Sequence, residues 1–143
     1  AGKVLPQEAD QLSAIAMQAK AYWGYTAEQL DHWKPFLTIT PDDIEAHQVW
    51  VATDGNQIVG FAVIEMIDGE ANLEHLWVSP EAIGQGVGKR LFQHVAGIVP
   101  EFVFTSDPHA NEFYKKMGAY KIGDYHSDYQ NRVLTKFKYR QPT

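Results

Sequence analysis

Apolar positions near the start of the chain recur with the period of a helix. Leu12, Ile15 and Ala19 are spaced by three and four residues, and the pattern continues to Trp23 before Gly24 interrupts it. This spacing places the apolar side chains on one face of a helix. The sequence therefore predicts an amphipathic first helix.

A second helix is indicated by its capping residues. Thr26 is followed three residues later by Gln29, so that each side chain can bond a backbone N–H group of the other. Because proline disfavours helical geometry in the residue before it, we expect this helix to end near Pro35. The segment 36–47 that follows is predicted to be a loop.

From residue 48 the pattern changes to strands. The apolar runs 48–53, 57–67 and 71–78 are separated by Asp-Gly pairs at 54–55 and 68–69. Asp-Gly between apolar runs is typical of a hairpin, because both residues tolerate positive φ. The sequence predicts three consecutive antiparallel strands.

The next segment predicts a crossover to a parallel strand. Val87, Leu91 and Val95 mark one face of a helix that ends near Pro100, and an apolar strand follows at 101–106. A strand, a helix and a further strand in this order imply a parallel connection.

A helix at 109–118 and two strands at 119–126 and 132–139 are predicted to complete the chain. The fold class expected is α/β (α+β), with a single mixed, mostly antiparallel central sheet and helices on both faces. The sheet should turn parallel between its third and fourth central strands, where ligands often bind in such folds. The chain has no repeat or linker, so residues 1–143 are expected to form one domain.

Composition and charge limit the classes of function. The formal net charge of −6 disfavours a nucleic-acid binder, because such proteins present a basic face to phosphate groups. No apolar run approaches the roughly 20 residues that span a bilayer, and no basic, then apolar leader precedes the first helix. With no cysteine, thiolate catalysis and cysteine metal sites are excluded. We expect a soluble, cytoplasmic protein that engages neither nucleic acid nor membrane.

Three glycines cluster at the predicted change of strand direction. Gly84, Gly86 and Gly88 are followed at once by Lys89 and Arg90, in the first turn of a predicted helix. Two cations oppose the helix dipole there, whereas a bound anion would favour them. Glycines let backbone N–H groups approach an oxyanion, and a helix N-terminus offers unpaired donors. The pattern predicts a pyrophosphate site, the alternative being a flexible, solvated turn.

Two common nucleotide motifs fit these residues poorly. A Walker loop requires a glycine in place of Ile83 and a hydroxyl residue in place of Arg90. The Rossmann fingerprint is only approximated by 84–88, although Asp107 lies about 20 residues further on, as a ribose-binding acid would. Because the preceding strands form hairpins and not a parallel βαβ unit, a nicotinamide-binding oxidoreductase is disfavoured.

The same residues resemble the GNAT superfamily of acyl-CoA-dependent N-acyltransferases. The stretch 78-VSPEAIGQGVG-88 is similar to the family's V-x-P strand end and [RQ]-x-x-G-x-[GA] helix start. The stretch 110-ANEFYKKMGAYKIG-123 is similar to its A-x-x-F-Y-x-x-x-G-F segment, and the resemblance covers most of the chain. Ile83, Ala119 and Asp107 depart from the usual Arg or Gln, Phe and Asn of the family.

The resemblance implies a GNAT fold and acetyl-CoA as cosubstrate. Strand backbone groups would hold the pantetheine arm, and N–H groups of the glycine stretch would hold the pyrophosphate. The six histidines show no metal-ligand spacing, so no metal is expected. The implied cofactor-binding residues are Leu76, Trp77, Val78, Gly84, Gln85, Gly86, Val87, Gly88, Lys89, Arg90, Asp107, Phe113 and Tyr114.

The resemblance also implies two catalytic residues. Tyr114 occupies the family's tyrosine position and would protonate the departing thiolate, the alternative being an aromatic packing contact. Glu74 lies where other members carry a general base, the alternative being an acid that only lines the pocket. Strand alternation places His75 on the opposite face, where we expect it to pack under a helix.

The resemblance also implies a pocket for the amine acceptor. Tyr22, Trp23 and Tyr25 lie where the family builds its acceptor pocket and could attract a charged amine through their ring faces; alternatively, at least two of them are core residues. The function expected is N-acetyl transfer to a small-molecule or peptide amine by direct attack, and the alternative is a non-catalytic acyl-CoA-binding module. The sequence leaves open the acceptor, the acyl length and a homodimer.

Overall fold

The structure is a computed structural model that describes residues 2–142. Over this range the helices are α1 (Ala9–Tyr22), α2 (Ala27–Leu37), α3 (Pro41–Ala46), α4 (Val87–Ile98) and α5 (Asn111–Lys116). The strands are β1 (Gly2–Lys3), β2 (Gln48–Asp54), β3 (Gln57–Ile67), β4 (Glu70–Val78), β5 (Glu101–Ser106), β6 (Tyr120–His126) and β7 (Val133–Arg140).

The strands form one mixed sheet in the order β1-β2-β3-β4-β5-β7-β6. Neighbouring strands are antiparallel except β4 and β5, which are parallel, so the predicted fold class is confirmed. The β3–β4 hairpin closes at Asp68 and Gly69, whose φ angles are 52° and 81°. The Asp-Gly pattern is effective here because a tight hairpin turn needs positive φ at both central residues.

Strands β4 and β5 are paired at a single position. Asn72 of β4 pairs with Val103 of β5, and beyond that pair β4 continues to Val78 while β5 continues to Ser106. Without cross-strand pairing, the two strands leave an open gap in the middle of the sheet. The backbone groups of β4 that face the gap are not bonded to β5.

The core is divided between the two faces of the sheet. On the α1 face, Leu12 of α1 is fully buried against Phe61 of β3. On the α4 face, Phe92 of α4 packs with Phe102 of β5 and with the cluster that contains Phe137 of β7. Burial of each such aromatic side chain stabilises the fold by about 1.5–3 kcal/mol. The two layers hold the sheet rigid on both sides of the gap.

Two predictions for residues 26–47 need correction. The second helix runs through Pro35 and ends two residues later, at Leu37, because a proline in the last turns removes one backbone donor and leaves few later residues to disturb. The segment predicted as a loop contains α3, which begins at Pro41, where a missing N–H group is tolerated. The side chain of Thr40 caps this helix by accepting a hydrogen bond from the Asp43 N–H group.

Candidate functional site

A cavity of about 370 Å³ occupies the gap between β4 and β5, and we call it the gap cavity. It is lined by the end of α1, by β4 from Leu73 to Val78, by the residues before α4, by the end of β5 and by α5. The predicted site residues that line it are Tyr22, Trp23, Glu74, Leu76, Trp77, Val78, Gly84, Gly86, Val87, Gly88, Lys89, Asp107, Phe113 and Tyr114. Gln85, Arg90 and Tyr25 are not among its lining residues.

The glycine stretch, residues 84–88, forms one end of the cavity. Gly84 and Gly86 have φ angles of 87° and 77°, and Gly86 is the N-cap of α4. A Cβ atom at either glycine would meet no atom within 4 Å, so the space before the helix is open. The first backbone N–H groups of α4 have no partner inside the helix. These donors, with Lys89 beside them, suit a bound anion.

Gly88 has a different role from the other two glycines. A Cβ atom there would lie 3.3 Å from Cζ of Phe113 and 3.5 Å from Cγ2 of Val78. The missing side chain therefore lets α5 pack closely against the start of α4. The sequence pattern singled out Gly88 for backbone donors, but its packing role depends on a contact with a residue 25 positions away.

A β-bulge interrupts β4 at Glu74. Val63 of β3 pairs with His75 and the next residue, Ile64, pairs with Leu73, so Glu74 is the extra residue. A bulge disrupts the regular pleat and redirects side chains. Strand alternation was expected to place the side chains of Glu74 and His75 on opposite faces of the sheet. This argument fails, because the bulge breaks the alternation between Leu73 and His75.

His75 is held on the α1 face by its neighbours. Its Nδ1 atom accepts a hydrogen bond of 3.0 Å from Nε1 of Trp77, and its ring centroid lies 6.1 Å from that of Phe61. Burial lowers the pKa of His75 to about 4. The imidazole is therefore neutral at pH 7 and serves as an acceptor for Trp77.

Glu74 is exposed at the edge of the gap cavity. Partial desolvation and repulsion from Glu65 raise its pKa above the ordinary value for a glutamate, against a smaller opposing effect of His47. A raised pKa makes the carboxylate a stronger base.

Tyr114 lies in the opposite wall of the cavity and is 9% exposed. Its ring centroid is 4.5 Å from that of Phe104 and 5.1 Å from that of Phe113. Burial, with a smaller effect from the negative charge of Asp107, raises the pKa of the Tyr114 hydroxyl above its usual value. The hydroxyl therefore keeps its proton at neutral pH.

Two of the three predicted acceptor aromatics line the cavity, and the third, Tyr25, packs against the same His109 ring on which Trp23 stacks. Tyr22 and Trp23 are 55% and 41% exposed and line the cavity, so they are not core residues. Trp23 stacks on the ring of His109 with the centroids 4.9 Å apart. Tyr25 instead turns its hydroxyl toward Asp107, to which it donates a hydrogen bond of 2.7 Å.

Tyr25 belongs to a group of side chains that we call the Asp107 cluster: Asp107, Lys20, Tyr25, Trp33 and Arg132. Oδ2 of Asp107 lies 2.6 Å from Nζ of Lys20 and 3.4 Å from a guanidinium nitrogen of Arg132. Both cations also lie over the ring of Trp33, at 4.4 Å and 4.9 Å from its centroid. The cluster joins the end of β5 to α1, α2 and the segment before β7.

The charges of the cluster depend on one another. Burial would raise the pKa of Asp107, but hydrogen bonds from Lys20, the His109 N–H group and Tyr25 outweigh it and hold the pKa at about 2. Burial lowers the pKa of Lys20, although Asp107 opposes this shift. Asp107 is therefore the counter-ion that keeps a desolvated lysine charged.

Sequence reasoning missed Lys20, Trp33 and Arg132. Lys20 stands 87 residues before Asp107 and Arg132 stands 25 residues after it, so no local pattern links them. The signal that could have revealed Lys20 was its place on the apolar side of the α1 periodicity, where it is buried.

Within residues 2–142, no group of three or more His, Asp or Glu side chains is placed to hold a metal ion. Across the same residues, every helix is too short or too polar to cross a bilayer.

Comparison with known proteins gives two related sequences. Peptidyl-lysine N-acetyltransferase YjaB of Salmonella typhimurium is 34% identical over 84 residues, which are 56% of this chain and 55% of that protein. Peptidyl-lysine N-acetyltransferase YiaC of Escherichia coli K12 is 27% identical over 100 residues, which are 67% of this chain and 66% of that protein. The matched segments thus span less than two thirds of both relatives.

Solved structures share the fold over nearly the whole chain. The PaiA N-acetyltransferase of Thermoplasma acidophilum in complex with coenzyme A superposes with a TM-score of 0.77 at 17% identity, covering 97% of this chain and 96% of that one. The apo form of YjaB from Escherichia coli gives a TM-score of 0.74 at 22% identity, covering 97% and 95%.

The sequence also matches a family model directly. The Acetyltransferase (GNAT) domain model aligns with residues 45–118, from the end of α3 to just past α5, which is more than half of the chain. The aligned region holds the glycine stretch, the bulge and Tyr114. This chain therefore belongs to the GNAT acetyltransferase family.

Proposed function

We propose that the protein is an N-acetyltransferase that moves an acetyl group from acetyl-CoA to a primary amine. The observation that carries this proposal is the gap between β4 and β5, which brings the open donors of the glycine stretch and the protonated Tyr114 into one cavity. The PaiA complex with coenzyme A and the names of the two sequence relatives support the same cosubstrate and an amine acceptor.

The residues present fit acetyl-CoA. The unpaired edge of β4, at Leu76 to Val78, offers alternating backbone donors and acceptors to an extended pantetheine arm, as an added strand would. The N–H groups at the start of α4 would hold the pyrophosphate, with Lys89 neutralising its charge. Bound there, acetyl-CoA supplies the acetyl group as a thioester.

Two side chains would move the protons of the reaction. A lysine-like amine has a pKa of about 10.4 and must lose a proton before it can attack. Glu74 would accept this proton directly or through water, since its raised pKa makes its carboxylate a stronger base than that of an ordinary glutamate. Tyr114 would donate a proton to the thiolate sulfur as the carbon–sulfur bond breaks. As the amide forms, its nitrogen loses a second proton, which returns through water to Tyr114. The net products are the acetylated amine, coenzyme A as a thiol, and the one proton that Glu74 releases to solvent.

Binding and turnover of the whole chain test the proposal. At 100 times its dissociation constant, acetyl-CoA should stabilise the fold by about 2.7 kcal/mol, seen as a rise in Tm. Gly86→Val should abolish the rise, because the new side chain would occupy the open space before α4. The valine will itself lower the apo Tm, since φ at this position is 77°. The readout is therefore the shift that acetyl-CoA causes in each protein.

Turnover is measured as free CoA released with a panel of primary amines. Release that depends on the amine supports an enzyme. Binding of acetyl-CoA with no product from any amine would favour a non-catalytic acyl-CoA-binding module. Absence of any Tm shift at saturating acetyl-CoA would remove the basis of the proposal.

A further inference from the structure

A second cavity, of about 480 Å³, lies beside the gap cavity. The two cavities share Leu73, Glu74, Phe104 and Thr105, which are the residues at which β4 and β5 begin to diverge. The two cavities therefore adjoin where the strands separate, and Glu74 lines both of them. We call the second cavity the β4–β7 groove, since its walls extend from β4 across β5 to β7.

The groove lies on the face of the sheet opposite α4. Phe104 of β5 and Phe137 of β7 are buried on the α4 face, so by alternation Thr105 and Lys136 point to the other face. Helix α1 packs on that face against β3 and β4. Thr105 and Lys136 are exposed, which shows that this part of the sheet lies beyond the cover of α1.

The walls of the groove carry opposite charges. Glu70 and Glu74 line it from β4, while Lys136 and Lys138 line it from β7. Lys138 is already paired with Glu101. Among the ion pairs of residues 2–142, neither Glu74 nor Lys136 takes part, so both are free to meet a charged ligand.

Register sets the distance between these two charges. Thr105 pairs directly with Lys136, and Glu74 lies two residues beyond the single β4–β5 pair, as Thr105 does on its own strand. Two strand spacings therefore separate the backbones of Glu74 and Lys136. At about 4.8 Å for each spacing, that separation is roughly 10 Å, and it is larger where the strands diverge. Both side chains point over the groove and shorten the span that a ligand must bridge.

We propose that the β4–β7 groove binds the amine acceptor and selects one that carries a carboxylate, with the amine at Glu74 and the carboxylate at Lys136. This inference rests on the proposed N-acetyltransferase function and adds the substrate class. Lys136 is a specificity-determining residue: it touches the part of the acceptor that does not react. An acceptor of this class has the size of a single free amino acid or a short peptide, with its amine several bonds from the carboxylate.

A matched pair of acceptors tests the assignment. Nα-acetyl-lysine and its amide present the same side-chain amine and differ only in the carboxylate. We expect the wild-type protein to acetylate the acid with a kcat/KM about tenfold above that of the amide, because a charge-assisted hydrogen bond at a partly exposed site contributes on this order. Equal kcat/KM for the two compounds would overturn the proposal.

The variant Lys136→Ala tests whether Lys136 causes the preference for the acid over the amide. The variant should raise KM for the acid to the value for the amide and leave kcat for both nearly unchanged. Lys116→Ala is the matched control, because it removes an equal charge from an exposed position on α5 that lines neither cavity. The control should keep the tenfold preference. A preference that survives in Lys136→Ala would show that the carboxylate binds elsewhere.

A direct binding measurement keeps the groove testable if neither compound is acetylated. Nuclear magnetic resonance titrations with each compound, in the presence of coenzyme A, report binding without turnover. Weaker binding of the acid to Lys136→Ala than to the wild type would support the groove even though the proposed enzyme function had failed. Equal binding of acid and amide, or no binding of either, would overturn the groove assignment. A rise in Tm with acetyl-CoA would still show that the cofactor binds, even if the groove assignment had failed.

Discussion

Replacing Asp107 by asparagine should destabilise the protein strongly, although asparagine is the residue that many GNAT members carry there. The change keeps the side-chain shape and removes one negative charge. It leaves Lys20 and Arg132, whose side chains are 11% and 18% exposed, without a counter-ion. Removing one partner of a buried ion pair costs about 3–5 kcal/mol. We expect the lower end, about 3 kcal/mol, because the cluster is partly hydrated.

The pKa of Asp107 gives a second measure of the same effect. It falls from 3.8 to about 2 on folding, and a shift of about two units corresponds to about 2–3 kcal/mol. Because the folded pKa is the lower one, this stabilisation is complete above pH ~4 and is lost as the pH falls toward 2. The wild type should therefore lose this contribution on acidification. The gap in stability between wild type and Asp107→Asn should narrow over the same range.

Urea unfolding and calorimetry measure the effect. A loss of about 3 kcal/mol should lower Tm by about 10 °C in a domain of this size. Asp124→Asn is the control, because Asp124 pairs with Lys121 at an exposed site. It should move Tm by about 1 °C or less, as exposed ion pairs contribute little.

A double variant tests the coupling. Lys20→Met removes the desolvated ammonium, so Asp107→Asn should cost much less in that background than in the wild type. Equal costs in the two backgrounds, or a Tm fall of under about 2 °C for the single variant, would refute the reasoning. The affinity for acetyl-CoA, measured on the folded fraction, reports separately whether the carboxylate also contacts the cofactor.

Two further predictions concern the proposed proton transfers. Tyr114→Phe keeps the ring packing and removes the hydroxyl, so kcat on a competent amine should fall by ~10²-fold while acetyl-CoA affinity stays nearly constant; a fall of under threefold, with product release shown not to limit, would make Tyr114 a packing residue. The raised pKa of Glu74 should place the acidic limb of the kcat/KM profile above the ordinary glutamate range, with activity falling as the pH drops through it. Glu74→Gln should lower kcat/KM and remove that limb, and an unchanged profile in this variant would assign the base to another group.

The sequence by itself determined the local elements and the position of the glycine stretch at the start of α4. The Asp68-Gly69 pair fixed the β3–β4 hairpin, because positive φ is a property of single residues and both adopt it as predicted. In the β2–β3 hairpin only Gly55 of its Asp-Gly pair has positive φ, and Asp54 is the last residue of β2. The glycine stretch marked the start of α4 for the same reason: Gly84 and Gly86 both lie in the left-handed region. The order of strand, helix and strand then set the parallel pair, because such crossovers have one favoured geometry.

Pro35 in α2 shows a limit of prediction from local sequence. Pro35 was expected to end a helix, yet α2 continues for two residues beyond it. Burial of Leu37 in the α1-face core gives the last turn a stabilisation that the sequence rule does not include. Packing free energy from distant residues outweighed a local preference, as tertiary context commonly does.

Only the tertiary structure decided the details on which chemistry depends. The bulge at Glu74 arises from the register of β4 against β3, and no pattern within β4 reports that register. The Asp107 cluster unites residues from opposite ends of the chain, and the β4–β7 groove exists because β4 and β5 separate after one pair. Local sequence fixes backbone angles, since these depend on a residue and its neighbours. Charge pairing, desolvation and cavities depend on which distant segments meet, and that is settled when the chain folds.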